Sequence, residues 1–210
     1  YTGHDQSLLS GIPNSLLQSG DLRKDGSIVL GKNVQVTSQT VDNTGSIQAY
    51  DSLSITGNYV QNLSGSMNGN LVSIHTDTLE NTSGRIHGKD GVHIEGKDIR
   101  NETQVTTNNL LGSQQDTAHG TASITSDGGI HIQGDTIHSV GATIQGGSTV
   151  SLVGKDIQVS ARALQNRYIG SGVALESTKY LGSTVQGHTL QVQGGQITLQ
   201  GSRIIGHTVD

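Results

Sequence analysis

Several residue types are missing or scarce. There is no cysteine, which excludes disulfide frameworks and thiolate metal sites. A cysteine-free chain also suits passage, unfolded, through an oxidising periplasm. Phe and Trp are absent and aromatics make up only 2% of the chain, so the core cannot rest on large rings. No apolar run approaches the roughly 18 residues of a membrane-spanning helix. The net charge of −5 and isoelectric point near 5.9 offer no basic surface for nucleic acid, heparin or anionic lipid. Nucleic acid is not an expected partner. The opening residues Tyr1 to Asp5 contain neither Met nor a signal peptide. With repeats running almost to Asp210, the chain reads as a piece of a longer protein.

What is present is Ile, Val and Leu at regular spacing, separated by glycine and small polar residues. Val34, Val36 and Val41 return as Leu53, Ile55 and Val60, then as Val72, Ile74 and Leu79, then as Val92, Ile94 and Ile99. The trio recurs at Ile130, Ile132 and Ile137, at Val150, Leu152 and Ile157, and at Leu190, Val192 and Ile197. A fourth column precedes it: Ile28, Ile47, Met67, Ile86, Ile124, Ile144, Val185 and Ile204. A period of 19–20 residues sustained this far indicates stacked repeats. The regularity argues against disorder, which low hydrophobicity alone would suggest.

Alternation at period two, bounded by Gly, Asn and Asp, predicts short strands, and nothing follows a 3.6-residue period. The expected fold is all-β: a parallel β-helix, or solenoid, of about seven to eight rungs. Three strands and three corners make one rung, and rungs stack about 4.8 Å apart. Stability must accumulate over rungs, because chain entropy offsets most of what one rung buries.

Residues 1–24 are the least regular and are expected to form an incomplete N-terminal rung or a cap. Residues 25–210 form the β-helix. Asn43, Asn62, Asn81 and Asn101 recur two residues after the third-strand aliphatic. They predict a hydrogen-bonded Asn ladder at one corner, where Asn would also tolerate left-handed backbone. The ladder ends at Ser139, Val159 and Leu199.

Two insertions, at about 102–122 and 161–182, leave from that same corner two rungs apart. In the second, Arg167 to Leu175 places two apolar runs around Gly170-Ser171-Gly172, which predicts a hairpin. Leu110, Leu111, Tyr168, Ile169, Leu175 and Tyr180 are the candidate contact residues. They either fold down over the outer face of the helix or project as an apolar patch.

Short motifs resemble a known family. Gly-Lys-Asp-Ile at 96–99 and 154–157, Gly-Ser-Ile at 26–28 and 45–47, and the segments 140–146 and 181–187 are similar to filamentous haemagglutinin repeats. These occur in large exoproteins of Gram-negative two-partner secretion systems, including contact-dependent growth inhibition proteins of the CdiA type. The resemblance covers roughly residues 25–210. It implies a right-handed helix, secretion through an outer-membrane two-partner transporter, and display at the cell surface. It further implies a non-enzymatic role in filament extension, target-cell contact or toxin delivery, with a host-directed adhesin as the alternative. The implied partners are the rest of the same chain, that transporter, and a target-cell outer membrane or receptor. No cofactor is expected.

Other chemistry is less well supported. His93 and His131 occupy equivalent outward positions on neighbouring rungs, close enough to share a metal; a solvent-facing pair is the simpler reading. Asp77, Asp98 and Asp156 are expected in one turn column, with Asn58 and Asp135 close by. A carboxylate pair there would suit a polysaccharide-active enzyme, but glycine-flanked Asp is ordinary turn chemistry. Gly-Gly at 128–129, 146–147 and 194–195 precedes no helix and marks corners, not phosphate loops. No catalytic residue and no metal ligand is assigned.

Overall fold

The computed structural model describes residues 15–17, 28–170 and 173–210. Among these the protein is all-β, without helices. One large sheet consists of parallel strand pairs, and a separate four-stranded sheet is antiparallel.

The parallel pairing follows the sequence period. Val34 pairs with Leu53, Leu53 with Val72, Val72 with Val92, Val92 with Ile130, Ile130 with Val150 and Val150 with Leu190. Likewise Val41, Val60, Leu79, Ile99, Ile137, Ile157 and Ile197 lie side by side. Alternate residues face one interior, so equal side chains stack on equal side chains. The result is one continuous core of Ile, Val and Leu, joined by Ala49 and by Met67, its sole sulfur side chain. Each fully buried Leu or Ile contributes roughly 1.5–3 kcal/mol.

The two long intervals leave no gap in the stack. Ile124 lies directly beside Ile86, and Val185 beside Ile144. The chain departs, makes an excursion and rejoins the next layer in register.

The fourth column differs from expectation at its first member. Val29, not Ile28, pairs with Ile47. Val29 packs against the core, while Ile28 is 76% exposed. The cause is a corner shorter by one residue: between the paired positions Gly31–Ala49 and Asn33–Ser52, this strand carries only Lys32, where its neighbour carries Tyr50 and Asp51. A slip of one residue exchanges inside for outside.

Of the N-terminal region, Ser15–Leu17 forms a strand parallel to Val34–Val36. The rest of the expected cap or rung lies outside the described residues.

Candidate functional site

The corner from which the insertions leave is built on amides. Asn43 Nδ2 donates to Asn62 Oδ1 at 2.7 Å, Asn62 to Asn81 at 2.8 Å, and Asn81 to Asn101 at 2.8 Å. Each amide also donates to a backbone carbonyl of a following layer: Ser66, Arg85, Ser123 and Thr143 in turn. All four are buried, so these bonds supply the partners that burial requires. The ladder explains the glycines at 65 and 84, which open the next layer at this corner. A Cβ at Gly65 would lie 2.6 Å from Asn43 Nδ2, and one at Gly84 would collide with Asn62.

Left-handed backbone occurs at this corner, but not on the asparagines. It falls two residues later, at Ser64 (φ 53), Ser83 (φ 50), Gly141 (φ 59) and Gly201 (φ 60). The asparagines are extended because their amides must point along the stack. The equivalent residues Thr103 and Ala161 have no positive φ. There the chain does not turn the corner; it leaves.

Two buried hydroxyls secure the points of departure and return. Thr103 Oγ1 accepts from Ala122 N at 3.1 Å and donates to Gly141 O. Ser183 Oγ accepts from Ala142 N at 3.1 Å and lies 2.7 Å from Ser160 O. The sequence gives little sign of either role, since Ser and Thr are common throughout the chain.

Each insertion is a hairpin. Val105–Leu110 pairs antiparallel with Ser113–Ala118, and Arg162–Gly170 with Val173–Leu181. Ser171 and Gly172, between the two strands of the second hairpin in sequence, lie outside the described residues. The hairpins then join through Asn166–Gln115 and Arg167–Gln114 into one four-stranded sheet. Its strands pack with one another rather than against the parallel sheet.

Asp116 holds the two hairpins together. Its carboxylate accepts from Gln165 N at 2.7 Å and Thr107 Oγ1 at 2.7 Å, while its own N–H donates to Asn166 Oδ1 at 3.2 Å. The Gln165 amide, aided by Thr107 and Gln114, keeps this carboxyl below the ordinary aspartate range against a small desolvation cost. Ser113 Oγ adds a bond to Ile169 N at 3.0 Å. The bonds between the hairpins are not visible in sequence, because their partners lie 49 to 56 residues apart.

The six candidate contact residues are all exposed, from 40% at Ile169 to 92% at Leu111. They do not cover the outer face of the parallel sheet. Nor do they make one patch. Cross-strand pairing places Leu110, Ser113, Tyr168 and Leu175 in a row on one face. By strand alternation Ile169 and Tyr180 fall on the other face.

The remaining candidates have local partners. His93 and His131 stack, with centroids 5.1 Å apart and an interplanar angle of 11°. Glu95 lies 2.9 Å from His93 Nε2 and 3.2 Å from His75 Nδ1, and these hydrogen bonds hold its carboxyl low. Among the described residues, no group of three His, Asp or Glu side chains is placed to hold a metal.

The expected Asp column separates into two. Asp98, Thr136 and Asp156 share one column. Asp77 falls in the next, beside Lys97 at 2.7 Å, and Asp135 lies 2.8 Å from Lys155. Asp98 accepts from Thr136 Oγ1 at 2.8 Å and pairs with Arg100 at 2.8 Å. Partial burial raises its pKa, but the bonds from Arg100 and Thr136 together outweigh this and lower it. Asp98 is thus held as an ion-paired, hydrogen-bonded carboxylate.

No family model matches the chain, and no curated protein or solved structure was found similar to it.

Proposed function

We propose that the chain is a segment of right-handed parallel β-helix from a large exoprotein, secreted and displayed at the surface of a Gram-negative bacterium. Its work is mechanical and adhesive: it extends the filament and presents the hairpin sheet to a target cell, as in toxin delivery by contact-dependent growth inhibition. The observation that carries this reading is the pairing of two hairpins into one exposed sheet beside a stack of parallel strands in register. Long excursions in a compact repeat tend to be functional. Exposed aliphatic and tyrosine side chains on such a sheet suit contact with another surface. The haemagglutinin-like motifs support the setting, and the paired state of Asp77 and Asp98 favours it over a polysaccharide-active enzyme.

The test is binding of labelled chain to Gram-negative cells and to epithelial cells, beside a variant carrying Leu110→Ser, Tyr168→Ser and Leu175→Ser. Bacterial binding lost in the variant supports growth-inhibition contact. Epithelial binding would replace it with the host-directed adhesin. A folded chain that binds neither would leave a spacer without a receptor surface.

A further inference from the structure

The hairpin sheet ends in an open edge. Among the described residues Val173–Leu181 pairs only with Arg162–Gly170, and no strand lies along its other side. The edge is nine residues long, about 30 Å at the usual rise per residue. Its pairing with Arg162–Gly170 runs without a register shift. It contains no proline, and Val173 to Tyr180 are all exposed. Protein sheets usually blunt an edge of this kind with a bulge, a proline or several lysines. This one carries a single Lys and a single Glu.

We propose that this edge pairs antiparallel with the same edge of a second copy, giving a closed dimer with an eight-stranded hairpin sheet. An unfilled row of backbone N–H and C=O groups specifies a strand as its occupant. The charges on the edge select among self-pairings. A two-fold axis perpendicular to the sheet makes one residue face its own counterpart. Centring on Glu176 or on Lys179 would oppose like charges, which is destabilising. Centring on Ser177 opposes none: Val173 meets Leu181, Ala174 meets Tyr180, Leu175 meets Lys179 along its aliphatic stem, and Glu176 meets Thr178. Centring on Thr178 opposes none either: Leu175 meets Leu181, Glu176 meets the Tyr180 hydroxyl, and Ser177 meets Lys179. Of the centres that pair seven or more residues of this nine-residue edge, only these two oppose no like charges, and both also place apolar side chains opposite apolar ones. The opposite edge of the sheet, Val105–Leu110, is shorter, at six residues, and carries no charge to set a register. Its pairing with Val173–Leu181 of another copy would give an open polymer instead of a closed dimer.

The inference does not depend on what the sheet binds on a cell. It is tested by sedimentation velocity across a concentration series, with Ser177→Lys/Thr178→Lys and Asn108→Lys/Asn109→Lys variants. All four side chains are exposed, and circular dichroism checks that each variant keeps its strands. The expected result is a monomer–dimer equilibrium abolished by the first variant and retained by the second. Because the chain has no cysteine, Ser177→Cys and Thr178→Cys also give a direct readout. At least one should cross-link as a dimer under mild oxidation, while Asn109→Cys should not. A chain that stays monomeric at every concentration overturns the proposal. So does a dimer indifferent to Ser177→Lys/Thr178→Lys, or an open polymer abolished by Asn108→Lys/Asn109→Lys.

Discussion

At the scale of single residues, the departure corner shows how buried polar groups are managed. Asn81 uses its amide fully: it accepts from Asn62 and donates to Asn101 and to backbone carbonyls. Asn81→Ala leaves the Asn62 amide without its acceptor and Asn101 without its donor. The expected loss is about 3 kcal/mol, since each buried orphan costs roughly 1–3 kcal/mol. Ser139 is the contrasting case. It occupies the ladder position beside Asn101, yet its buried hydroxyl has no hydrogen-bond partner. Ser139→Ala therefore removes an unpaired group and should leave stability unchanged or raise it by up to about 1 kcal/mol. Urea unfolding of the two variants beside the parent checks both. Equal destabilisation would mean that Ser139 has a partner and that the corner is bonded differently. The Asn column was legible in sequence because identical residues recurred at the repeat period. The left-handed turns at Ser64 and Ser83 were not, because serine carries no strong conformational signal of its own.

At the scale of elements, the hairpins depend on Asp116. A carboxyl held low by its bonds stabilises the folded form above the unfolded aspartate pKa, about 3.9. That contribution is lost as pH falls through the lower folded value. Protection of the Gln165 and Asn166 amides, taken relative to the intrinsic exchange rate at each pH, should therefore fall as pH drops through that lowered value, where Asp116 takes up its proton. Asp116→Asn should show the faster exchange at neutral pH, with exchange at core positions such as Ile94 and Ile132 unchanged. Faster exchange throughout would show instead that the hairpins and the stack unfold together. That the second insertion forms a hairpin was readable from two apolar runs around a glycine pair. That two hairpins would merge was not, because the contact joins polar residues far apart in sequence and follows no period. The same limit hid the division of the contact residues between two faces. Sequence counts apolar residues in a loop, but pairing register decides which of them point the same way.

At the scale of the whole molecule, the alignment of equal residues across layers is what sequence read best. The aliphatic trios paired as their spacing indicates, and the all-β class followed from them. Ile28 departed from this because corner length varies by one residue while strand spacing does not, so counting back across a corner places the wrong neighbour inside. Ile28→Ser should consequently leave the melting temperature nearly unchanged, whereas Val29→Ser, which packs against the core, should lower it. Thermal unfolding of the pair distinguishes this register from the one counted off the sequence.

The stack should stand without its hairpins. Joining residue 103 to Ala122 and residue 161 to Ser183 restores the spacing of the uninterrupted corners, provided Thr103→Gly and Ala161→Gly supply the left-handed turn seen at Gly141 and Gly201. Thermal unfolding of this shortened chain is the measurement to make. A single cooperative transition within a few degrees of the parent would mean that the layers support themselves and the hairpin sheet is carried for contact. Loss of the transition, or a collapse of strand content, would mean that the hairpins hold the stack together and that their exposed residues are not available for a partner.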